Sequence, residues 1–258
     1  MWRTSNSSYI FVVLIGVLGC NKQVSTPNES PNESPNESPK ESVTSSSSTG
    51  KQGKLSFEVQ HAQALRGDSI AIKLTQAKIT CEQIFQLSSL SDKLLELQLD
   101  AGVIDDTSIE SLAQLTALEH LRLRDSPITD VGIAKLDPLK LPNLRILNLP
   151  QSTLTLVGLE HLASFPNLIQ LRLSAIQLDD RAAEVLATFP ALRSLHLIGP
   201  KFTDAALDQL AKAPKLASLY IDDCHLSDAA WERLFKAKPS IHVHIDQHHH
   251  DRDPNADH

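Results

Sequence analysis

The sequence has 258 residues and is poor in aromatic side chains, glycine, cysteine and positive charge. Aromatic residues make up 4% of the chain, so aliphatic side chains must fill its core. The formal net charge of −7 argues against general nucleic-acid binding. The nine glycines form no phosphate-binding loop, and the chain contains neither a nucleophile elbow nor a His-Glu-x-x-His motif. These absences predict a protein that is not an enzyme and that needs no cofactor.

The longest apolar run is also short. It extends from Tyr9 to Leu18, about ten residues against the roughly twenty that span a bilayer. Arg3 precedes it, which is the arrangement of a secretory signal. The ending Val17-Leu18-Gly19-Cys20 resembles the signal of bacterial lipoproteins. The resemblance implies that residues 1–19 are a signal peptide and that Cys20 is the lipidated mature N-terminus. An uncleaved membrane anchor is the alternative.

A low-complexity segment follows the predicted cleavage site. The tetrapeptide Pro27-Asn28-Glu29-Ser30 recurs at 31–34 and 35–38, and a serine run occupies 45–48. Almost no apolar side chains are available for burial, which predicts a disordered Pro/Asn/Glu/Ser tether over residues 20–53. A lipidated tether predicts a lipoprotein anchored to a membrane of the bacterial cell envelope, facing the periplasm or the cell surface.

A repeat occupies most of the remaining chain. Its frame is Leu-x-x-Leu-x-Leu, in which the leucines of a short strand face inward. Successive frames begin 24 residues apart, except for one interval of 26. Self-similarity at such a period predicts a solenoid, in which each unit buries its apolar face against its neighbours. The six frames are Leu94–Leu99, Leu118–Leu123, Leu144–Leu149, Leu168–Leu173, Leu192–Leu197 and Leu216–Ile221.

Each repeat is predicted to continue from its strand into a helix. Apolar residues recur at helical spacing, as in Leu159, Leu162 and Phe165. A proline two residues before the next frame, such as Pro166, ends the helix because proline cannot continue it. Polar pairs that accept hydrogen bonds from free N–H groups mark the helix starts: Asp105-Asp106, Thr129-Asp130, Asp179-Asp180, Thr203-Asp204 and Ser227-Asp228.

These repeats resemble the leucine-rich repeat family over about residues 69–246. The stretch Ile128-Thr129-Asp130-x-Gly132-Ile133 is similar to the cysteine-containing subclass. The resemblance implies an α/β solenoid, or horseshoe, with a parallel concave sheet and helices on the convex side. The repeat domain with its caps is predicted at residues 54–246. Alternating Leu55, Phe57 and Val59 predict a small N-terminal cap.

The side chains between the inward leucines predict a recognition surface. On adjacent strands they form rows about 4.8 Å apart on the concave face. The middle row is Lys73, Gln98, Arg122, Asn148, Arg172, His196, Tyr220 and His244. Arg and Tyr often dominate the energy of interfaces. We predict that this face binds a carboxylate-bearing protein or polysaccharide through Arg122, Arg124, Arg172, His196 and Tyr220. An ordinary solvated face is the alternative.

The C-terminal end predicts an alternative function, metal binding or sensing in the envelope. His242, His244 and Asp246 alternate along one strand, and Asp222 is predicted one strand away. Histidine and carboxylate side chains at such spacings can bind zinc. A His/Asp-rich tail, residues 247–258, continues the cluster. The simpler interpretation of this tail is a solubilising end.

The two cysteines beyond Cys20 are predicted to be structural. Cys81 and Cys224 lie about six strand spacings apart in a solenoid, which is too far for a disulfide between them. Each is therefore predicted to be a small buried hydrophobic residue.

Overall fold

The structure, a computed structural model, describes residues 55–101 and 104–249. The predicted signal peptide, the lipidation site Cys20, the tether and residues 250–258 of the tail lie outside this part. No helix among the described residues combines the length and apolar character needed to cross a bilayer.

Strands and helices alternate along the described chain. The strands are β1 Ala71–Leu74, β2 Glu96–Leu99, β3 His120–Leu123, β4 Ile146–Leu149, β5 Gln170–Ser174, β6 Ser194–Ile198, β7 Ser218–Asp222, β8 His242–Ile245 and β9 His248–His249. The helices are α1 Phe57–Arg66, α2 Cys81–Gln86, α3 Ile109–Leu112, α4 Asp130–Ile133, α5 Leu156–Leu162, α6 Asp180–Leu186, α7 Asp204–Leu210 and α8 Asp228–Ala237. A 3-10 turn, Leu87–Leu90, follows α2.

The strands form one sheet in chain order. Strands β1 to β8 are parallel, and β9 pairs antiparallel with β8. Inward leucines lie opposite one another across the strands, as Leu97 does to Leu121 and Leu171 to Leu195. This register places every repeat in the same frame. The predicted α/β leucine-rich repeat solenoid is confirmed.

A continuous core lies between the sheet and the helices. The inward strand leucines are buried, and so are helix residues such as Leu159 and Leu162. Phe165 and Phe189 are the largest fully buried side chains of the described chain. Strand residues between the leucines are only partly covered. The helices thus cover one side of the sheet, and the other side, here called the sheet face, is open to solvent.

The starts of neighbouring helices are joined by hydrogen bonds that we call the capping ladder. In each link, an aspartate at one helix start accepts the backbone N–H and the hydroxyl hydrogen of the N-cap residue in the next repeat. The same Thr or Ser also caps its own helix. One side chain therefore fixes both a helix end and the stacking of two repeats. The links are Asp106–Thr129, Asp130–Thr155, Asp180–Thr203 and Asp204–Ser227.

The capping ladder is interrupted once and begins irregularly. Between α5 and α6, Leu156 stands where the aspartate would be, and Asp179 is the N-cap of the next helix. A carboxylate at the cap cannot donate a hydrogen bond, so this junction does without the link. In the first predicted capping pair, Asp105-Asp106, the Asp105 side chain accepts N–H groups from Thr107 and Ser108 in a turn before α3 and does not cap the helix itself. The other predicted N-caps are confirmed.

Helix α1 closes the first edge of the sheet. The Gln60 side chain is buried; its Nε2 donates to the Lys73 carbonyl at 3.0 Å, and its Oε1 accepts the Lys73 N–H at 2.7 Å. These bonds satisfy groups that an edge strand would leave open. Phe57 is buried, whereas Leu55 and Val59 are 50% and 44% exposed. The segment predicted to form a small N-terminal cap is therefore helical from Phe57 onward, because Ser56 caps a helix at this position.

The cysteines differ in their surroundings. Cys224 is buried, as predicted, and burial raises the pKa of its thiol. Cys81 is exposed at the first position of α2, so the prediction that it is buried is wrong. The physical reason is that the first turn of α2, capped by Thr80, lies outside the core, and Ile84 provides the buried side chain of that helix.

Candidate binding surface on the sheet face

Strand pairing builds the middle row as predicted. Arg122 lies opposite Asn148, which lies opposite Arg172. Arg172 in turn lies opposite His196, and His196 opposite Tyr220. All five side chains are half-buried by their neighbours in the row. The repeat frame alone therefore fixes the order of side chains across the sheet face.

Arg122 is neutralised within the protein. Its Nη2 donates to Asp100 Oδ2 at 2.9 Å, and its Nε lies 2.8 Å from Asp100 Oδ1. The second contact is poorly aligned as a hydrogen bond but is a close ion contact. The carboxylate thus holds the guanidinium through both of its oxygens. The sequence prediction assigned Asp100 no role, although it follows the strand beside Arg122.

The first strands of the sheet face also have balanced charge. Glu96 forms ion pairs with Lys73 Nζ at 2.7 Å and with His120 Nδ1 at 2.9 Å. Burial lowers the pKa of His120, and this outweighs the attraction of Glu96. The glutamate therefore neutralises Lys73, while His120 is mostly uncharged at neutral pH.

His196 is paired with a buried carboxylate. Its Nε2 lies 2.7 Å from Oδ2 of Asp222, which is 8% exposed. Burial lowers the pKa of His196, and the charge of Arg172 lowers it further, which together outweigh the attraction of Asp222. The ring is therefore neutral at neutral pH and donates its Nε2–H to the carboxylate.

Tyr220 is enclosed in an aromatic stack. Its ring lies 5.5 Å from that of His196 on one side and 4.7 Å from that of His244 on the other, with interplanar angles of 26° and 25°. The neighbouring strands thus cover both faces of the tyrosine ring. A partner meets the edges of these rings rather than a flat platform, so this part of the sheet face favours polar contacts over stacking.

Arg172 and Arg124 differ from the other cations of the predicted set. Among the described residues, neither side chain has a carboxylate within ion-pair distance. Arg172 Nε is buried without a hydrogen-bond partner, and so is Asn148 Oδ1 on the adjacent strand. Burial lowers the pKa of Arg172; Asp222 opposes this from a distance, and Arg124 and Arg122 repel the charge. Arginine nevertheless remains ionised at neutral pH. The sheet face thus holds, near its centre, a half-buried guanidinium that forms no ion pair among the described residues.

The structure separates the residues that were predicted to bind metal. His242 and His244 lie together, with 2.8 Å between their Nε2 atoms. Asp222 instead contacts His196, and Asp246 accepts a backbone N–H from the turn after β7. Within residues 55–101 and 104–249, no three His, Cys, Asp or Glu side chains are grouped so that they could hold a metal ion.

Comparison with solved structures finds similarity to an internalin from Listeria monocytogenes strain 4b F2365, at 17% sequence identity and a TM-score of 0.45. The alignment covers 68% of this chain and 46% of the internalin, so the chain spans just under half the length of that protein. Neither a scan against protein-family models nor a search of curated proteins gives a match.

Proposed function

We propose that this protein binds an acidic segment of a partner protein through its sheet face, with Arg172 as the central contact and Arg124 beside it. The observation that carries the proposal is the half-buried guanidinium of Arg172, which no carboxylate among the described residues approaches within ion-pair distance. A carboxylate reaching the outer nitrogens of Arg172 compensates its charge and supplies strong charge-assisted hydrogen bonds.

The surrounding charges support an anionic partner. Asp100 already neutralises Arg122, and Glu96 neutralises Lys73. Among the described residues, Arg172 and Arg124 are thus the cations of the predicted set that form no ion pair, in a chain with a formal charge of −7. A positive patch on an acidic protein attracts an acidic segment locally and repels it elsewhere, which favours one orientation of binding. Tyr220 lies two strands from Arg172 and presents its polar edge to the same partner.

Fluorescence anisotropy with a labelled octa-aspartate peptide tests this proposal on the full chain. We expect saturable binding that weakens with added salt. Arg172→Gln should weaken it about tenfold or more, because a hydrogen bond to a charged group contributes about 1.5–3 kcal/mol. Arg124→Gln should weaken it by a smaller factor, since this side chain is exposed and solvent screens it.

The matched control is Arg233→Gln. It removes the same charge from the helix side, where Arg233 is paired with Asp208. Binding that survives Arg172→Gln, or that Arg233→Gln weakens equally, contradicts the proposed site. An oligogalacturonate probe distinguishes the other partner class, because it presents carboxylates on a polysaccharide. If oligogalacturonate binds and octa-aspartate does not, the partner is an anionic polysaccharide and not a protein.

We further propose that the chain acts in the bacterial cell envelope as a lipoprotein. The predicted lipidation site Cys20 and the predicted tether over residues 20–53 support this location on sequence grounds, and both lie outside the described residues. A tether of this length extends up to roughly 100 Å at about 3 Å per residue, which is enough to present the sheet face away from the membrane.

Membrane fractionation of cells that express the full chain tests the anchor. The wild-type protein should sediment with membranes and incorporate labelled palmitate. Cys20→Ser should abolish the label and release the protein into the soluble fraction or leave it as an unprocessed precursor. Equal processing and equal sedimentation of the variant would contradict lipidation, and Cys224→Ser, at the free cysteine, is the matched control.

A further inference from the structure

His196 occupies the position between Arg172 and Tyr220 in the middle row. It lies opposite Arg172 on β5 and opposite Tyr220 on β7. Its Nε2 is 2.7 Å from Asp222 Oδ2, and its ring is stacked on that of Tyr220. Asp222 and Tyr220 thus contact the histidine from one neighbouring strand, and the guanidinium of Arg172 lies on the other neighbouring strand.

The charged and titratable groups around His196 come from two strands. Arg172 faces it from β5, and Asp222 and Tyr220 face it from β7. Its own strand contributes the uncharged Ser194 and Ile198, and His244 lies beyond Tyr220. Asp222 holds the Nε2–H, so a second proton must enter at Nδ1. The cost of adding that proton is set by burial, by the bond to Asp222 and by the charge of Arg172, and of these a partner that binds Arg172 changes the last.

Protonation of His196 and occupation of Arg172 by an anion should assist each other. With no anion, burial disfavours the imidazolium and the charge of Arg172 adds to the cost; together they lower the pKa of the ring against the attraction of Asp222. A bound carboxylate screens the arginine and attracts the imidazolium. By linkage, anything that raises proton affinity on binding also raises binding affinity when protons are abundant.

We propose that the sheet face takes up a proton at His196 when a carboxylate binds Arg172, so that acidic partners bind more tightly in mildly acidic surroundings. This inference rests on the proposed function, because it concerns the same site. In this proposal, His196 is a positioning residue whose protonation is coupled to binding of the partner at Arg172. The acidic segment would be retained best where the pH falls from about 7.5 towards 5.5, across the ordinary range of histidine.

Octa-aspartate is a suitable probe because aspartate, with an ordinary pKa near 3.9, stays ionised down to about pH 5.5. Isothermal titration calorimetry on the full chain should show affinity rising between about pH 7.5 and 5.5, by a factor on the order of ten, since each pKa unit of coupling is tenfold. Titrations in two buffers of different ionisation enthalpy should show net proton uptake, between zero and one proton per peptide, at about pH 6.5.

His196→Gln should remove the rise in affinity, whatever its affinity at the higher pH. His120→Gln and His244→Gln are the matched controls, because both rings lie on the sheet face without facing Arg172. A wild-type protein that binds the peptide with no pH dependence overturns the inference and leaves the proposed function standing. If the affinity of the His196→Gln variant rises as much as that of the wild-type protein when the pH falls, the inference is likewise overturned and the proposed function stands. Absence of binding at every pH overturns the proposed function itself.

A direct measurement avoids dependence on the folding of the variant. In protein labelled with ¹³C at histidine, the His196 ring should titrate at a higher pH with saturating octa-aspartate than without it. The His61 ring, which lies on α1 and is bonded to Gln86 and Ser89 away from the middle row, is the control and should not respond to the peptide. A His196 titration that does not move on binding contradicts proton linkage even if affinity changes with pH.

Discussion

Phe165→Ala should lower the free energy of unfolding by about 3–5 kcal/mol, the usual cost of a large aromatic truncation in a core. Phe165 is 1% exposed and lies just after α5, where it fills the space between helix and sheet. The His161 ring packs edge-on against it, with 6.0 Å between the centroids. Neighbouring repeats supply the surrounding atoms, so a cavity here also weakens their stacking. Urea denaturation followed by circular dichroism measures the change.

Phe85→Ala is the matched control, because Phe85 is 73% exposed on α2. Its effect should lie within about 0.5 kcal/mol, as for most surface substitutions. Phe165→Leu should recover most of the stability, since it keeps an apolar side chain of similar size. Equal losses at positions 165 and 85 would contradict the assignment of Phe165 to the core.

Asp130→Ala should lower the free energy of unfolding by about 2 kcal/mol, because it removes the acceptor of one capping-ladder link. Asp130 Oδ1 accepts N–H groups from Thr155 at 2.9 Å and from Gly158 at 3.1 Å. Its Oδ2 accepts the Thr155 hydroxyl hydrogen. The close approach requires glycine at 158, since a Cβ there would lie 2.3 Å from Oδ1. Hydrogen exchange at the Gly158 amide should accelerate in the variant.

Asp228→Ala is the control for this link. Asp228 occupies the same position at the start of α8, but no further helix follows it among the described residues. Asp228→Ala should lower the free energy of unfolding by only about 0.3–1 kcal/mol, which is the contribution of a favourable charge at a helix N-terminus. If the two variants lose equal stability, the links between repeats contribute nothing beyond the local helix dipole.

Most of the fold could be predicted because the same leucine spacing occurs in six successive frames. The inward leucines fix which face of each strand is buried, and a slip by one residue would expose them all. The middle row followed directly, and its order is confirmed from Lys73 to His244. The prediction that was wrong, burial of Cys81, concerns a residue before the first full frame, where no repeat constrains the chain.

The candidate site was only half predictable. Its residues were named from the sequence, but their pairing was not, because long side chains reach across rows. Arg122 reaches Asp100, and His196 reaches Asp222, each one row away and on an adjacent strand. A carboxylate placed diagonally to an arginine or a histidine is a signal that could have revealed both pairs. No comparable signal identifies Arg172 as uncompensated, since that depends on the distances of every neighbouring carboxylate.

The sequence by itself determined the solenoid, the register of its strands and the side chains that occupy the sheet face, because a fixed period leaves no other way to bury the leucines. Only the tertiary structure decided which of those side chains remain available for a partner. The capping ladder likewise became visible only when helix starts from successive repeats lay side by side. The physical reason is common to both: burial follows the local period, whereas charge compensation and hydrogen bonding depend on contacts between residues more than twenty positions apart.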